Sequence, residues 1–318
     1  MERETDLLVA GDLNADVVLS GVDWPRIGAE QLAETGGVAL GGSAGIFAAN
    51  AALLGLRVRL AAVVGDDPLG AMLLSMLQQA GVDTTAVRVL RGAGTGFTVV
   101  INARGKREKA LLTWPGAIPQ LRARDIRPHL QQARHLHCAS FYLMGELKNE
   151  LPALLRAARK QAVTTSIDPN PDPTGEYDSD IAKVLAEADL FFPNRDEARR
   201  IAAANGGGPL YRRLAALTRA TVLKNGGDGV VFLGSGVEIR HPAPKVTVVD
   251  PTGAGDSFEA GFLAARLRNA DLHDALRFGQ ACAAATCSVA GGITALSTPA
   301  IRTRLRRQLA AIAQPERK

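Results

Sequence analysis

The segment Val249-Asp250-Pro251-Thr252-Gly253-Ala254-Gly255-Asp256-Ser257-Phe258 combines residue types suited to phosphoryl chemistry. A β-like run leads into proline and two glycines, and a good helical pattern follows. Gly253 and Gly255 allow the backbone to bend sharply and approach a ligand closely. The start of the following helix offers unpaired N–H groups and the positive end of its dipole, a natural anion site. Phosphoryl transfer needs such donors where charge develops on the transferred group. A carboxylate, Asp256, sits inside this anion hole. There it would repel a phosphate that is merely bound, but it suits the removal of a proton from an attacking hydroxyl. Asp256 alone would also read as a helix cap; capping leaves the glycine pair and Asp250 unexplained. The segment is not a Walker A loop, which needs a lysine after its last glycine. Nor is it a dinucleotide fingerprint, because Phe258 stands where the third glycine would fall.

The elements that must position this segment follow from periodicity. Leu7–Ala10 and Val58–Val64 read as short buried strands, apolar and β-branched. Between them Ser43–Leu54 is an alanine-rich helix with Gly55 at its C-terminal stop. Asp67–Ala80 is a second helix, with Pro68 at its first position and Gly81 beyond its end. Segments 15–40 and 95–113 behave differently. Each holds a β-like pair, Asp16–Ser20 with Val38–Leu40 and Thr95–Asn102 with Lys109–Thr113, the latter joined by Arg104-Gly105-Lys106. No helix follows either pair at once, so the two segments are expected to make one small accessory sheet. From residue 125 the alternation becomes regular, with strands expected at His135–Ala139, Val163–Ile167, Leu190–Phe192 and Thr221–Leu223. After Val230–Leu233 and Lys245–Val249 the chain turns helical over Gly255–Arg268, Leu272–Val289 and Pro299–Ala313. Repeated βα units imply a parallel sheet with helices on both faces, here in a single domain over residues 1–318.

Composition narrows the function classes. The 318 residues are 47% apolar, enough for a substantial core, and include 33 glycines. Three cysteines, Cys138, Cys282 and Cys287, lack metal-ligand spacing and read as reduced, buried thiols of a cytoplasmic protein. Met1–Asp6 carries no basic stretch followed by an apolar one, so no signal peptide is expected. No apolar run reaches the ~18 residues of a membrane span. The formal charge of +5 is mild, and the arginines of the last helix (Arg302, Arg304, Arg306, Arg307) read as a solvated face. Without a basic stripe or reading motif, neither nucleic acid nor membrane is an expected partner.

Asp250–Phe262 resembles the C-terminal signature of the ribokinase-like (PfkB) carbohydrate kinases. Gly41-Gly42-Ser43-Ala44 with the helix ending at Leu54-Gly55 resembles the family's N-terminal one, in the family's order and more than 200 residues upstream. The resemblance implies a Rossmann-like three-layer α/β/α sandwich with a small β-sheet lid over the substrate. It implies ATP, Mg2+ and often a stimulating monovalent cation, usually K+. Asp256 would be the catalytic base, with Gly253, Ala254 and Gly255 as the anion hole. Asn194-Arg195-Asp196-Glu197 looks like the family's N-x-x-E motif, with Glu197 serving Mg2+ through water; as local structure it is also a good helix start. Lys224-Asn225-Gly226-Gly227-Asp228-Gly229 resembles the turn that lines the nucleotide, and Cys282, with the loop Gly291-Gly292-Ile293, falls on the adenine-side wall. Asp250 and Thr252 match monovalent-cation residues, with Gly292 and Ser297 nearby in the pattern. Asn14 and Asp16 look like the pair that hydrogen-bonds sugar hydroxyls. Gly41, Gly42, Asp168 and Asn170 would face the same substrate, since ligands gather beyond the carboxyl ends of strands in such folds.

Three positions depart from the family pattern. Ile46 stands where many relatives carry a substrate-contacting asparagine, with Asn50 one turn on as a substitute. Cys282 stands where some carry an asparagine against adenine. Glu259 adds a charge one turn beyond Asp256 and is expected to face solvent. The leading reading is an ATP-dependent kinase for a sugar or sugar-like polyol, compatible with a homodimer through the lid sheet. A nucleoside kinase of the same fold, with Trp24 and Trp114 as lid aromatics, and a catalytically silent ligand sensor are the alternatives. An NAD-dependent oxidoreductase is disfavoured because Gly11-Asp12-Leu13-Asn14 lacks the dinucleotide glycines.

Overall fold

A computed structural model describes residues 3–104, 109–177 and 180–313. The strands are β1 Thr5–Ala10, β2 Asn14–Val22, β3 Thr35–Gly41, β4 Val58–Ala61, β5 Val63–Gly65, β6 Arg88–Leu90, β7 Phe97–Ala103, β8 Lys109–Trp114, β9 Ala133–Ala139, β10 Thr164–Asp168, β11 Leu190–Phe191, β12 Ala220–Lys224, β13 Val230–Gly234 and β14 Val237–His241. The helices are α1 Ser43–Leu53, α2 Pro68–Gln79, α3 Ala123–Ile126, α4 Leu147–Lys160, α5 Asp180–Leu185, α6 Arg195–Ala204, α7 Leu210–Leu217, α8 Ala254–Leu267, α9 Leu272–Cys287, α10 Thr294–Ser297 and α11 Pro299–Ile312.

The large sheet runs β14-β13-β12-β11-β10-β9-β1-β4. Strands β4 through β12 in this order are parallel, and β13 and β14 close one edge as antiparallel neighbours. Every residue of β1 is buried. Leu7 and Val9 belong to one core and Leu8 and Ala10 to the other, so the two-residue period of the strand feeds two helical layers. One layer holds α1, α2 and α8 to α11; the other holds α3 to α7. This is the three-layer α/β/α architecture expected from the βα alternation.

The expected accessory strands form a four-stranded sheet, β3-β2-β7-β8. β2 pairs antiparallel with β3 and parallel with β7, so two segments distant in sequence share one surface. The Gly105-Lys106 part of the expected connection lies outside the described residues.

Two elements differ from expectation. Lys245–Val249 is β-branched but unpaired; the edge position is taken by β14, whose Val230↔His241 to Gly234↔Val237 ladder uses a tight turn through Ser235-Gly236. Strand-like composition cannot create a partner once the sheet edge is occupied. Val58–Val64 is likewise split at Ala62, and β5 leaves the main sheet to pair with β6.

Asp67 joins the two parts of the fold. It caps α2, accepting from Gly70 N at 2.8 Å, and its other oxygen accepts from Thr95 N at 2.7 Å, at the entry to β7. Burial opposes its charge, but these donors outweigh burial and hold its carboxyl below the usual carboxylate range. Asp67→Ala is expected to lower unfolding free energy by about 1–2 kcal/mol, measured in denaturant at pH 7. Because the folded-state value is depressed, that difference should shrink as pH falls through the folded-state pKa.

Candidate active site

Three of the expected site residues, Asp168, Asn194 and Lys224, lie where the parallel strands of the large sheet end, beside Asp12 and Ser140. Asp12 follows β1, Ser140 follows β9, Asp168 ends β10, Asn194 follows β11 and Lys224 ends β12. The N-terminus of α8 faces them from the adjoining layer.

Helix α8 begins at Gly253, which has φ 73°. A Cβ there would lie 2.6 Å from Gly292 Cα, so only glycine fits both the left-handed backbone and the contact. No side chain caps α8; Ala254 N donates to Pro251 O at 3.1 Å, and the N–H groups of Gly255 and Asp256 are the first-turn donors left for a ligand. Asp250 fixes the approach to this turn. One of its oxygens accepts from Thr252 N at 2.9 Å and Thr252 Oγ1 at 2.6 Å, the other from Gly291 N at 3.0 Å. The two glycine loops are thereby tied together.

Asp256 accepts a hydrogen bond from Ser43 Oγ at the start of α1. Its carboxyl lies deep among other acids. Burial and then the charge of Asp168 push its pKa up to about 7, against the Ser43 bond and Lys224. A base of that strength matches the task of accepting a proton near neutral pH. Gly42 places Ser43: it has φ 80°, and a Cβ would fall 2.7 Å from Asp12 O and 2.9 Å from Asn14 Oδ1. Asp12, which sequence reading did not single out, accepts from Ser43 N at 3.1 Å and Ala44 N at 3.0 Å. Its signal was present as an acid directly after a buried strand, but nothing local shows that it anchors a helix some thirty residues later.

Asn14 and Asp16 are brought together with the accessory sheet. Asn14 Nδ2 donates to Asp16 Oδ1 at 3.1 Å and to Thr98 Oγ1 at 2.9 Å. Burial, followed by the Asp12 charge, raises the Asp16 pKa to about 6. Gly41 lies directly against the Asp16 carboxylate. Asn170, in left-handed backbone at φ 52°, donates from Nδ2 to Ser140 Oγ at 3.2 Å.

Asn194 and Glu197 form a reciprocal capping box. Asn194 Oδ1 accepts from Asp196 N at 2.9 Å and Glu197 N at 3.0 Å, while Glu197 accepts from Asn194 N at 2.8 Å and Nδ2 at 2.6 Å. Glu197 is 3% exposed. Burial and the Asp168 charge lift its pKa to about 7. With both oxygens engaged, Glu197 suits a hydrated metal better than direct ligation.

The turn expected at the nucleotide is formed, and Lys224 enters it from β12 with its side chain turned toward the buried acids. Gly229 has φ 95° and a Cβ there would meet His241 O at 2.0 Å; Gly226 has φ 57°. Lys224 points inward, 3.2 Å from Asp168 Oδ2 and hydrogen-bonded to Glu259 Oε1. Burial disfavours its charge, yet Asp168, Glu259 and Glu197 together push its pKa up.

Four departures from the sequence expectations follow. Glu259 does not face solvent: it is fully buried, one turn along α8 from Asp256, and burial pushes its carboxyl well above the usual range. Cys282 is no part of a nucleotide surface. It is fully buried, with its sulfur against Gly261 at the α8–α9 contact, where a Cβ would lie 2.7 Å from it. Asn50 is fully buried and donates to Ser257 Oγ at 2.8 Å and Gly292 O at 3.1 Å, so it braces the glycine loops and does not replace an asparagine at 46. Ile46 packs against Gly253 and Gly292 and is 5% exposed. In each case the period of the helix set the direction of the side chain, and tertiary packing set what it meets.

Comparison with known proteins agrees with the geometry. Residues 4–299 match the pfkB family carbohydrate kinases. The chain belongs to that family. It is 31% identical to an ATP-dependent ribose-1-phosphate kinase of Halopiger xanaduensis, over 93% of this chain and 96% of the relative. It is 27% identical to a ribokinase of Haemophilus influenzae, over 92% and 95%. Its fold matches that of an Arabidopsis thaliana ribokinase complexed with ribose and ATP, with a TM-score of 0.81 at 23% identity over 97% and 99% of the two chains. As a pfkB family member, the protein is a phosphotransferase that uses ATP to phosphorylate a hydroxyl of a sugar or sugar-like compound.

Burial raises the Cys138 thiol to about 12 and also raises Cys282, while Cys287 is only half-buried. Under native conditions iodoacetamide should therefore modify Cys287 alone, as read by mass spectrometry, and Cys138 and Cys282 only after unfolding.

Proposed function

We propose that Asp256 deprotonates the acceptor hydroxyl of a sugar or polyol held by Asn14 and Asp16, while the 253–255 amides receive the transferring phosphoryl group. The observation that carries this reading is the carboxylate placed at a glycine-led helix N-terminus without a side-chain cap, joined by Ser43 and Gly42 to the neighbourhood of Asn14. In the step, the acceptor oxygen forms its bond to the γ-phosphorus as the bond to the ADP oxygen breaks, and the hydroxyl proton passes to Asp256. The Ser43 hydroxyl holds one carboxylate oxygen, which leaves the other for the acceptor. Asn14 is itself oriented by Thr98, and Thr98 lies 3.0 Å from Thr113, so strands β7 and β8 support the acceptor side. On this reading the accessory sheet is a lid. Gly41, Gly42, Asp168 and Asn170 complete the acceptor side, and Asn194, Gly226 and Gly229 the nucleotide side.

Mg2+ is the expected metal and would offset charge on the phosphates of ATP. Glu197, with its oxygens tied to Asn194, would act on it through water. The Asp250 carboxylate and Thr252 fit one side of a K+ site that would stiffen the paired glycine loops. The exposed apolar side chains of the lid sheet and its flanking loop, among them Ile27, Leu32, Leu111 and Leu112, support a homodimer through that surface. Buried thiols and a nucleotide substrate fit the cytoplasm.

Asp256→Asn should keep ATP binding and lose about 10²- to 10⁴-fold in kcat, measured by acceptor-dependent ADP release across sugars, polyols and nucleosides. Near-normal turnover in that variant would sink the assignment. Because the ionised carboxylate is the active form and its pKa is raised to about 7, wild-type kcat/KM should fall below neutral pH and level off above it. Replacing K+ by tetramethylammonium should lower kcat in the wild type and leave Asp250→Ala unaffected; equal sensitivity of both would remove Asp250 from the cation site.

A further inference from the structure

We infer that Lys224 is a catalytic residue whose ammonium meets the transferring phosphoryl group beside Gly255, and that Glu259 and His137 are positioning residues that hold it there. This rests on the reading that the 253–256 loop receives that group.

The placement is direct. Lys224 leaves the carboxyl end of β12 and brings Nζ to 3.3 Å from where a Cβ on Gly255 would stand. Gly255 is in the first turn of α8, the turn whose amides lack a side-chain cap. Of the three N–H donors of an ammonium, one points to Asp168 and one to Glu259. The side chain keeps 14% exposure, so the third donor has room for a ligand. P-loop enzymes place a lysine within the phosphate loop itself. Here the loop has none, and the charge arrives from a neighbouring strand.

Glu259 fixes that charge in place. It lies three residues after Asp256 on α8, so base and anchor share one helical face. It is fully buried, and its second oxygen, Oε2, faces His137 Nε2 at 3.4 Å. Among the described residues neither of these two atoms has another hydrogen-bond partner. The His137 ring stacks on Phe47 with centroids 4.0 Å apart, and burial keeps it neutral. His137 Nδ1 lies 2.8 Å from Ser166 Oγ, Ser166 Oγ 2.7 Å from His135 Nε2, and His135 Nδ1 2.8 Å from Thr164 Oγ1. Burial and Asp168 oppose the charge of Glu259, and the ammonium of Lys224 favours it. With Glu259 ionised against that ammonium, Ser166 donates to His137 Nδ1 and His137 Nε2–H donates to Glu259 Oε2. The polar chain thus stabilises the carboxylate that holds the lysine.

A merely structural ion pair is the competing explanation. Buried pairs can usually be replaced by neutral side chains without loss of stability, and such a replacement separates the two roles. In the transfer step Lys224 gives up no proton. It offsets charge on the phosphoryl oxygens while the acceptor proton goes to Asp256 and the bonding pair leaves with ADP.

The test is Lys224→Met/Glu259→Gln, which removes one charge of each sign, alongside Asp256→Asn. A folded double variant, checked by circular dichroism and thermal melting, should lose at least about 100-fold in kcat with acceptor KM changed less than about threefold. By calorimetry, it should also lose affinity for ATP but not for ADP. Glu259→Gln and His137→Phe alone should give smaller kcat losses with unchanged KM. If the double variant does not fold, ethylammonium added to Lys224→Ala decides, and partial recovery of kcat is expected. A folded double variant with kcat within about threefold of wild type, or no recovery by ethylammonium, overturns the inference while Asp256→Asn stays inactive. An active Asp256→Asn overturns the loop reading and this inference with it.

Discussion

The crowding of acids at the end of the large sheet is the constraint on which the active site depends. Asp12, Asp168, Glu197, Asp256 and Glu259 are drawn into one region by four different elements, and the ammonium of Lys224 lies among the last four. Like charges this close cannot all ionise at no cost. The arrangement settles by raising the values of Asp256 and Glu197 to about 7 and by tying the lysine between Asp168 and Glu259. A carboxyl that titrates near neutrality is thus a consequence of crowding and burial.

The glycine loops depend on the same crowding. Asn50 and Asp250 reach the 291–292 backbone from opposite sides, and Ile46 fills the space beneath Gly253 and Gly292. Helix α1 therefore acts as a floor: its first residue, Ser43, holds Asp256, and Ile46 and Asn50 on its next turns brace the loops around it. The departure at position 46 from the common family asparagine is explained by this packing, since a branched apolar side chain fits against two glycines. The accessory sheet joins the same assembly through Asn14, whose amide spans Asp16 and Thr98 on adjacent strands.

Much of this was legible in the sequence. The βα alternation gave the three-layer sandwich, because a strand buried on both faces and an amphipathic helix have few other ways to bury their apolar sides. The 249–258 segment announced a sharp turn into a helix, found at Gly253, because glycines at a helix start have a local cause and a local consequence. The Asn194 capping box was readable as a helix start for the same reason. The failures were also physical. Lys245–Val249 has strand composition, but pairing depends on a free sheet edge. Cys282, Asn50 and Glu259 lie on helices whose buried face is wider than one stripe, so spacing alone could not say which of them faced a ligand, a core or a charge.

The sequence by itself determined the family, the fold class and the glycine-led turn at 253–255, because those rest on short-range pattern: periodicity, turn chemistry and a contiguous motif. Only the tertiary structure decided the electrostatics. Lys224 and Glu259 are 35 residues apart, and His137 and Glu259 are farther still. Their meeting depends on which strands are neighbours and on how α8 packs against them. Burial, which raises the carboxyls of Asp256 and Glu259 above the ordinary range, is a property of that packing and of no single segment.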